Sequence, residues 1–324
     1  MGGHALKYAK VTRKNRDEYF KINNEVEKIL NKALTIDFAP EIPGKESFGD
    51  LDVLYIPNEK EHLKDINYNE PIKDIIFKLF KPSEIVINGD VLSFDYQEFQ
   101  IDMIKCKHID FAKFYLSYGD FGAIIGRIVN HYGFKFGHEG FWINVYTDQE
   151  NQFDETHSYG KIVLTTNPEE MCKFIGLKYE DWLTIECKED IFNFIKSSRF
   201  FKPEIFESLK ATHHRKARLR PFYLEFIASI GIKEISGGSH YAENLQMEGI
   251  KYFNKEKEFQ EIFEQLNRKI EIKKKFNGKM IIEMGVEIKK IGEIIKKFKE
   301  KYDDDWILNN SQETINNTLK DFLK

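Results

Sequence analysis

Two aspartates separated by one residue are the strongest chemical feature of the sequence. Asp50 and Asp52 stand in the segment SFGDLDVLY, whose apolar half is typical of a strand. Because alternate residues of a strand point to the same face, the two carboxylates are predicted to project side by side. Carboxylates held this close raise each other's pKa, and a bound divalent cation removes that cost. Their hard oxygen ligands suit Mg²⁺ or Mn²⁺.

A third acid lies in a later apolar run. Asp102 is flanked on both sides by apolar residues in a predicted strand, Phe99–Lys105. An unpaired carboxylate is costly to bury, so an acid at the centre of such a strand indicates a specific partner. If this strand lies beside that of Asp50 and Asp52, three carboxylates converge, and three can hold two metal ions roughly 4 Å apart. The alternative is that these acids cap turns or pair with lysines.

The sequence pattern of residues 1–110 predicts a compact α+β domain whose helices and strands position these acids. Asn15 and Glu18 have the spacing of a capping box, and Asn88-Gly89-Asp90 is a favoured tight-turn sequence. The spacing of apolar residues predicts the remaining helices and strands. In order, we expect a helix over 15–33, a strand over 51–56, a helix over 71–80, a hairpin around 88–90 and a strand over 99–105. This order predicts a small mixed sheet with helices packed on it.

After residue 110 the pattern becomes mainly helical. We expect one long helix over 111–133 that its glycines weaken or bend, strands in FWINVYT and KIVLTT, a helix opened by Asn167-Pro168, and a helix over about 206–230. The sequence SGGS at 236–239 is typical of a linker or turn. Helices broken at Asn277-Gly278 and at 303–305 are predicted to follow. The expected division is a catalytic domain (1–110), a central mainly helical domain with a short strand pair (111–235) and a basic helical C-terminal region (240–324).

Composition excludes several classes of protein. The 324 residues are 41% hydrophobic and 31% charged, and no run approaches the roughly 20 apolar residues of a membrane-spanning helix. The start, MGGHALKYAK, has no signal-peptide core, and Leu6 stands where myristoylation requires Ser or Thr. Cys106, Cys172 and Cys187 form neither a CxxC zinc pattern nor an even disulfide set. These features favour a cytoplasmic protein.

Positive charge is concentrated in two places, although the net charge is −4. Between residues 267 and 301, 12 Lys or Arg stand against 5 Glu. The second cluster lies just before two aromatic residues and consists of Arg215, Lys216, Arg218 and Arg220. Basic residues beside aromatic ones suit a nucleic-acid strand. The alternatives are a solvated lysine-rich helix for the first cluster and a basic helix terminus for the second.

With a glycine pair at the N-terminus, these acids resemble the signature of the DNA polymerase β-like nucleotidyltransferase superfamily. The similarity is to its template-independent branch, which contains CCA-adding tRNA nucleotidyltransferases and poly(A) polymerases. The family pattern is a glycine pair, an acid-x-acid strand and a third acid on a later strand. Its counterparts here are Gly2-Gly3, Asp50, Asp52 and Asp102. The segment FNGKMIIEMGVEIKKIGEIIKKFKEKY faintly resembles the C-terminal helical segment of CCA-adding enzymes.

The resemblance implies metal-dependent nucleotidyl transfer. Asp50, Asp52 and Asp102 would be the catalytic residues and would hold two Mg²⁺ or Mn²⁺ ions. An acceptor hydroxyl would attack the α-phosphate of a nucleoside triphosphate and release pyrophosphate. The expected acceptor is an RNA 3′ end of tRNA-like type. The alternatives are a protein side chain, a non-catalytic nucleotide-binding module that retains the fold, and a structural component.

Further residues are predicted to bind the substrates. The glycine pair would let backbone N–H groups approach the triphosphate, and Lys45 and Ser47 stand just before the acids, where they would help to hold phosphates. Arg127 lies on the helix after the third acid, where the family contacts the nucleotide. The nucleotide-binding residues expected are therefore Gly2, Gly3, Lys45, Ser47 and Arg127. The residues expected to bind nucleic acid are Arg215, Lys216, Arg218 and Arg220.

Overall fold

The computed structural model describes residues 3–57, 71–146, 160–209, 220–232, 236–237 and 244–323. The chain forms two compact units, one of residues 1–143 with 163–253 and one of residues 144–162 with 254–324. The predicted α+β fold class is confirmed, because a five-stranded mixed sheet is followed by a helical C-terminal region. Among the helices described, none combines the length and the apolar character that crossing a bilayer requires.

The strands and helices are numbered in chain order. The strands are β1 (Lys14–Asn15), β2 (Leu34–Phe38), β3 (Ser47–Phe48), β4 (Asp50–Pro57), β5 (Ile85–Asn88), β6 (Val91–Tyr96), β7 (Phe99–Lys105), β8 (Phe134–Gly137), β9 (Gly140–Val145), β10 (Gly160–Thr165), β11 (Ser208–Leu209) and β12 (Ser236–Gly237). The helices are α1 (Arg16–Leu30), α2 (Ile72–Phe80), α3 (Ile109–Leu116), α4 (Phe121–His131), α5 (Pro168–Ile175), α6 (Tyr179–Leu183), α7 (Lys188–Lys196), α8 (Pro221–Ser229), α9 (Gln246–Tyr252), α10 (Glu256–Lys275), α11 (Gly278–Glu283), α12 (Ile291–Lys301), α13 (Asp304–Asn309) and α14 (Gln312–Phe322).

The central sheet of the first unit has the strand order β2-β4-β7-β6-β5. β4 and β7 run parallel to each other, and the remaining neighbours are antiparallel. Helix α1 begins at the predicted capping box, in which Asn15 and Glu18 exchange hydrogen bonds, and packs its apolar residues against one face of the sheet. The predicted hairpin of β5 and β6 is confirmed. The edge strand β2 was not predicted.

The single helix expected over 111–133 is wrong, because two helices, α3 and α4, are separated by a non-helical corner at residues 117–120. Tyr118 and Gly119 both have positive φ, 51° and 68°. That left-handed conformation ends a helix and is costly for a residue with a side chain. The Tyr118 N–H donates to the carbonyl of Pro40 at 2.7 Å, so a contact with a distant loop stabilises the corner. Propensity alone did not reveal this contact.

The helix expected over 206–230 is wrong at its start and confirmed at its end, and residues 210–219 lie outside the described residues. A 3₁₀ turn, Pro203–Phe206, leads into β11, and α8 covers Pro221–Ser229. The residue before a proline is forced out of the helical region, and Arg220 is indeed extended. The linker expected at 236–239 begins instead with strand β12, which pairs parallel to β11. Strand β8, which pairs with β9, was not predicted either.

The second unit contains the helices α10 to α14. Both predicted breaks are confirmed, because Asn277 and Asp303 cap the helices that follow them. The side chain of Asn277 accepts from the N–H groups of Lys279 and Met280, and that of Asp303 accepts from Trp306. The buried core of this unit consists of Ile272, Phe276, Ile281, Phe298, Ile307, Ile315 and Leu319.

Candidate metal and nucleotide site

Three carboxylates converge on the central sheet. Asp50 and Asp52 lie on β4, and Asp102 lies on the parallel neighbour β7, directly opposite Asp52 in the register. Each residue offers one carboxylate oxygen, and these oxygens all lie within 4.8 Å of one another. The predicted cluster therefore exists, and its members remain partly accessible to solvent.

Strand alternation separates this acidic face from the hydrophobic core. Leu51 and Val53 on β4, with Ile101 and Met103 on β7, are fully buried on the opposite face of the sheet. Farther along the acidic face, Leu54 packs in a small apolar cluster that includes Ala112 of α3. The acids thus lie beyond the part of this face that α3 covers.

Burial and the charges of neighbouring acids raise the pKa of Asp52 and of Asp102. The pKa of Asp52 lies well above its ordinary value, mainly because the group is buried and then because of the charges of Asp50 and Asp102. The Lys45 amine acts in the opposite direction. Burial likewise raises the pKa of Asp102 to about 6, although a hydrogen bond from Ser93 lowers it. A divalent cation would offset the repulsion that these shifts report.

Asp102 is oriented by a neighbour on its own strand. The Gln100 side chain is almost fully buried, and its Nε2 donates to both carboxylate oxygens of Asp102 at 3.0 Å. Ser93 lies opposite Asp102 on β6 and adds its hydroxyl. Strand alternation puts Gln100 on the same face as Asp102, but no role was predicted for it. A polar pair spaced i,i+2 in an otherwise apolar strand is the signal that could have identified it.

The N-terminal glycine lies against the acid pair. The Gly3 N–H donates to Oδ2 of Asp50 at 3.0 Å. Gly3 has φ +82°, and a Cβ at this position would lie 2.3 Å from the carbonyl oxygen of Gly49. Only glycine allows this approach without displacing backbone. Gly3 is therefore an ordered neighbour of the acids, whereas Gly2 lies outside the described residues.

Lys45 and Ser47 already have partners within the protein. Lys45 Nζ lies 2.6 Å from the Glu41 carboxylate, and Glu41 also accepts from the Tyr19 hydroxyl at 3.4 Å. The Ser47 hydroxyl accepts from Nε of Arg13 at 2.8 Å. Sequence reasoning missed Arg13, Tyr19 and Glu41, because nothing in their local sequence relates them to the acids.

The remaining predicted site residues occupy other surroundings. Arg127 donates to the carbonyl oxygen of Ile205, at 2.9 Å from its closer nitrogen. Arg220 forms an ion pair with Asp120 at 3.0 Å. A nucleotide contact of Arg127 and a nucleic-acid contact of Arg220 stay predictions. The other three members of that basic cluster, Arg215, Lys216 and Arg218, lie outside the described residues.

Many of the cations in the basic C-terminal region have acidic partners in the same unit. Ion pairs join Lys274 to Glu271, Lys279 to Glu283, Lys297 to Glu293 and Arg268 to Asp305. Most of these pairs are exposed, so they neutralise part of the positive charge of the region but contribute little to stability. Other lysines of the region, including Lys269, Lys273 and Lys296, are exposed. A polyanion would meet a surface with a positive excess that is partly neutralised.

No protein-family model matches this sequence, and comparison with curated proteins finds no match to it. The geometry of the three acids and their neighbours is therefore the basis for assigning a function.

Proposed function

We propose that this protein is a metal-dependent nucleotidyltransferase that moves a nucleoside monophosphate from a nucleoside triphosphate to an acceptor hydroxyl and releases pyrophosphate. The observation that carries the proposal is the convergence of Asp50, Asp52 and Asp102 from two adjacent parallel strands, with carboxylate oxygens within 4.8 Å of one another. An acid-x-acid strand with a third acid on a later strand is the arrangement that the resemblance implies, whereas the contact of the Gly3 N–H with Asp50 differs from the triphosphate contact that it implies for the glycine pair.

The donor set fits Mg²⁺ or Mn²⁺. All three groups offer hard oxygen ligands, and the raised pKa values of Asp52 and Asp102 indicate an electrostatic cost that a cation would offset. When bound, two such ions would supply positive charge for the attacking hydroxyl and for the leaving pyrophosphate. Asp50, Asp52 and Asp102 would hold them.

Neighbouring groups orient the carboxylates that would bind the metal ions. The Gly3 N–H fixes one oxygen of Asp50, and Gln100 with Ser93 fixes the carboxylate of Asp102. Hydrogen bonds that orient ligands in this way usually determine both metal affinity and geometry. Lys45 lies close enough to Asp52 to lower its pKa, and this amine is the cation that we propose to meet a triphosphate.

We propose an RNA 3′ end as the acceptor. Support comes from the positive excess of residues 267–301 and from the exposure of several of its lysines, since phosphate backbones bind such surfaces. A protein hydroxyl is the alternative acceptor. Incubation with α-labelled triphosphates and either total RNA or total protein separates the two, because label enters one fraction only.

The test of the reaction itself uses conservative variants. Asp52→Asn and Asp102→Asn each remove one ionised ligand with little change of shape, and we expect both to abolish label transfer while the protein stays folded. Asp74→Asn is the matched control, because Asp74 is exposed in the first turn of α2. Full activity in either site variant would contradict the proposal.

A further inference from the structure

The N-terminal segment of the protein is attached to the sheet almost entirely by hydrogen bonds. We call residues 3–12 the N-terminal strap. Only Leu6 of the strap is buried as a hydrophobic residue. Its backbone N–H groups donate to acceptors far away in the sequence. These pairs are Gly3 to Asp50, Ala5 to Gln100, Lys7, Tyr8 and Ala9 to Glu84, and Thr12 to the carbonyl of Glu98.

Glu84 is the most heavily used of these acceptors. Three consecutive N–H groups, those of Lys7, Tyr8 and Ala9, reach its Oε2 at 3.0, 2.8 and 2.8 Å. Consecutive N–H groups that point to one place form a concave anion site, a nest, which here contains the protein's own carboxylate. The Ala9 N–H is the largest of the contributions that hold the pKa of Glu84 below its usual range. The strap therefore has a charged anchor at its centre.

Glu84 is itself held by the sheet that carries the acids. Its N–H donates to Oδ1 of Asp95 at 2.7 Å, and the Ser83 hydroxyl donates to Oδ2 of the same residue at 2.9 Å. Asp95 lies on β6 directly opposite Gln100 of β7. The anchor of the strap and the residue that orients Asp102 are thus fixed by the same pair of strands.

The two strap residues before the anchor meet the acid site. The Gly3 N–H reaches Asp50, and the Ala5 N–H reaches Oε1 of Gln100 at 3.0 Å. Gln100 can then direct its Nε2 only toward Asp102. The strap thereby orients Asp50 directly and Asp102 through the amide of Gln100.

We propose that Glu84 is a positioning residue for the metal site. By gathering residues 7–9 into a nest, its carboxylate keeps Gly3 and Ala5 in register with Asp50 and Gln100. This inference rests on the proposed metal-dependent function. Without the anchor, each freed strap residue regains backbone freedom, and the two N–H contacts at the acids must offset that entropy alone.

The test is Glu84→Gln, which keeps the size of the side chain but removes its charge and one acceptor oxygen. We expect faster amide hydrogen exchange in residues 3–9 and a Mn²⁺ affinity about 10-fold weaker, as is typical when an orienting group is lost. Glu84→Asp keeps the charge and should give intermediate values. Glu27→Gln, on the exposed face of α1, is the matched control and should change neither quantity.

The possible outcomes separate this inference from the proposed function. Unchanged exchange in Glu84→Gln, or faster exchange with unchanged Mn²⁺ affinity, would overturn the positioning role and leave the proposed reaction intact. Weaker Mn²⁺ binding together with no transfer activity in the wild-type protein would support the role of Glu84 and refute the reaction. A wild-type protein that binds no Mn²⁺ would overturn both. Thermal unfolding of each variant shows that the comparison is made on folded protein.

Discussion

Asp102→Asn should make the metal-free protein more stable while it destroys the metal site. Burial raises the pKa of Asp102 to about 6, which means that its ionised form destabilises the fold at neutral pH. Asparagine has almost the same shape, carries no charge and can still accept from Gln100. The variant therefore removes the electrostatic cost of the third carboxylate and keeps most of its contacts.

The size of this effect follows from the pKa shift. A rise from an ordinary value near 4 to about 6 corresponds to about 3 kcal/mol of destabilisation above pH 6. Asparagine places an NH₂ group where the carboxylate accepted a second hydrogen bond, which costs about 1 kcal/mol. The expected net gain is about 2 kcal/mol, or an increase in Tm of about 4–8 °C for a unit of this size.

The assay is thermal and urea unfolding at pH 7.5, with EDTA or with saturating Mn²⁺. In EDTA the variant should unfold at a higher temperature than the wild type. Mn²⁺ should stabilise the wild type by mass action and leave the variant almost unchanged. Asp74→Asn should behave like the wild type under both conditions. A variant that is less stable in EDTA, or that still gains stability from Mn²⁺ as the wild type does, would refute this reasoning.

Three further predictions concern the acids and their neighbours. Gly3→Ala should weaken Mn²⁺ binding at least about 10-fold, because the added Cβ collides with the Gly49 carbonyl. The control is Gly44→Ala: Gly44 also has a positive φ, +77°, but a Cβ there meets open space, so this variant shows the effect of backbone strain alone. The free energy of unfolding of the metal-free wild type, measured in urea, should fall as pH rises from about 4 to about 6, because the folded state binds the Asp102 proton more tightly than the unfolded chain does. With saturating Mn²⁺ this fall should disappear. Lys45→Met should strengthen Mn²⁺ binding and weaken triphosphate binding, each by about 1 kcal/mol in calorimetry, because it removes a positive charge near the acids. If both affinities changed in the same direction, the Lys45 charge would not act on the two ligands as proposed.

The part of the site that follows local rules could be predicted from the sequence. Period-two alternation placed Asp50 and Asp52 on one face and their apolar neighbours on the other. The capping box at Asn15 and the caps at Asn277 and Asp303 were also predictable, because each depends on residues only two or three positions apart.

Features that depend on distant contacts could not be derived in the same way. The register that sets Asp52 opposite Asp102 results from the pairing of strands about fifty residues apart, which the sequence made plausible but did not specify. The strap contacts of Gly3 and Ala5 span 47 and 95 residues. The corner at Tyr118 depends on the carbonyl of Pro40. In each case tertiary contacts decide a geometry that local propensity leaves open or opposes.

The most direct test of the central claim is anomalous diffraction at the manganese edge from crystals soaked with Mn²⁺ and a non-hydrolysable nucleoside triphosphate. We predict anomalous peaks within coordination distance of the carboxylates of Asp50, Asp52 and Asp102, with the triphosphate bound to the same ions. Ordered triphosphate density away from these residues, or crystals with no manganese peak at the three acids, would contradict the assignment.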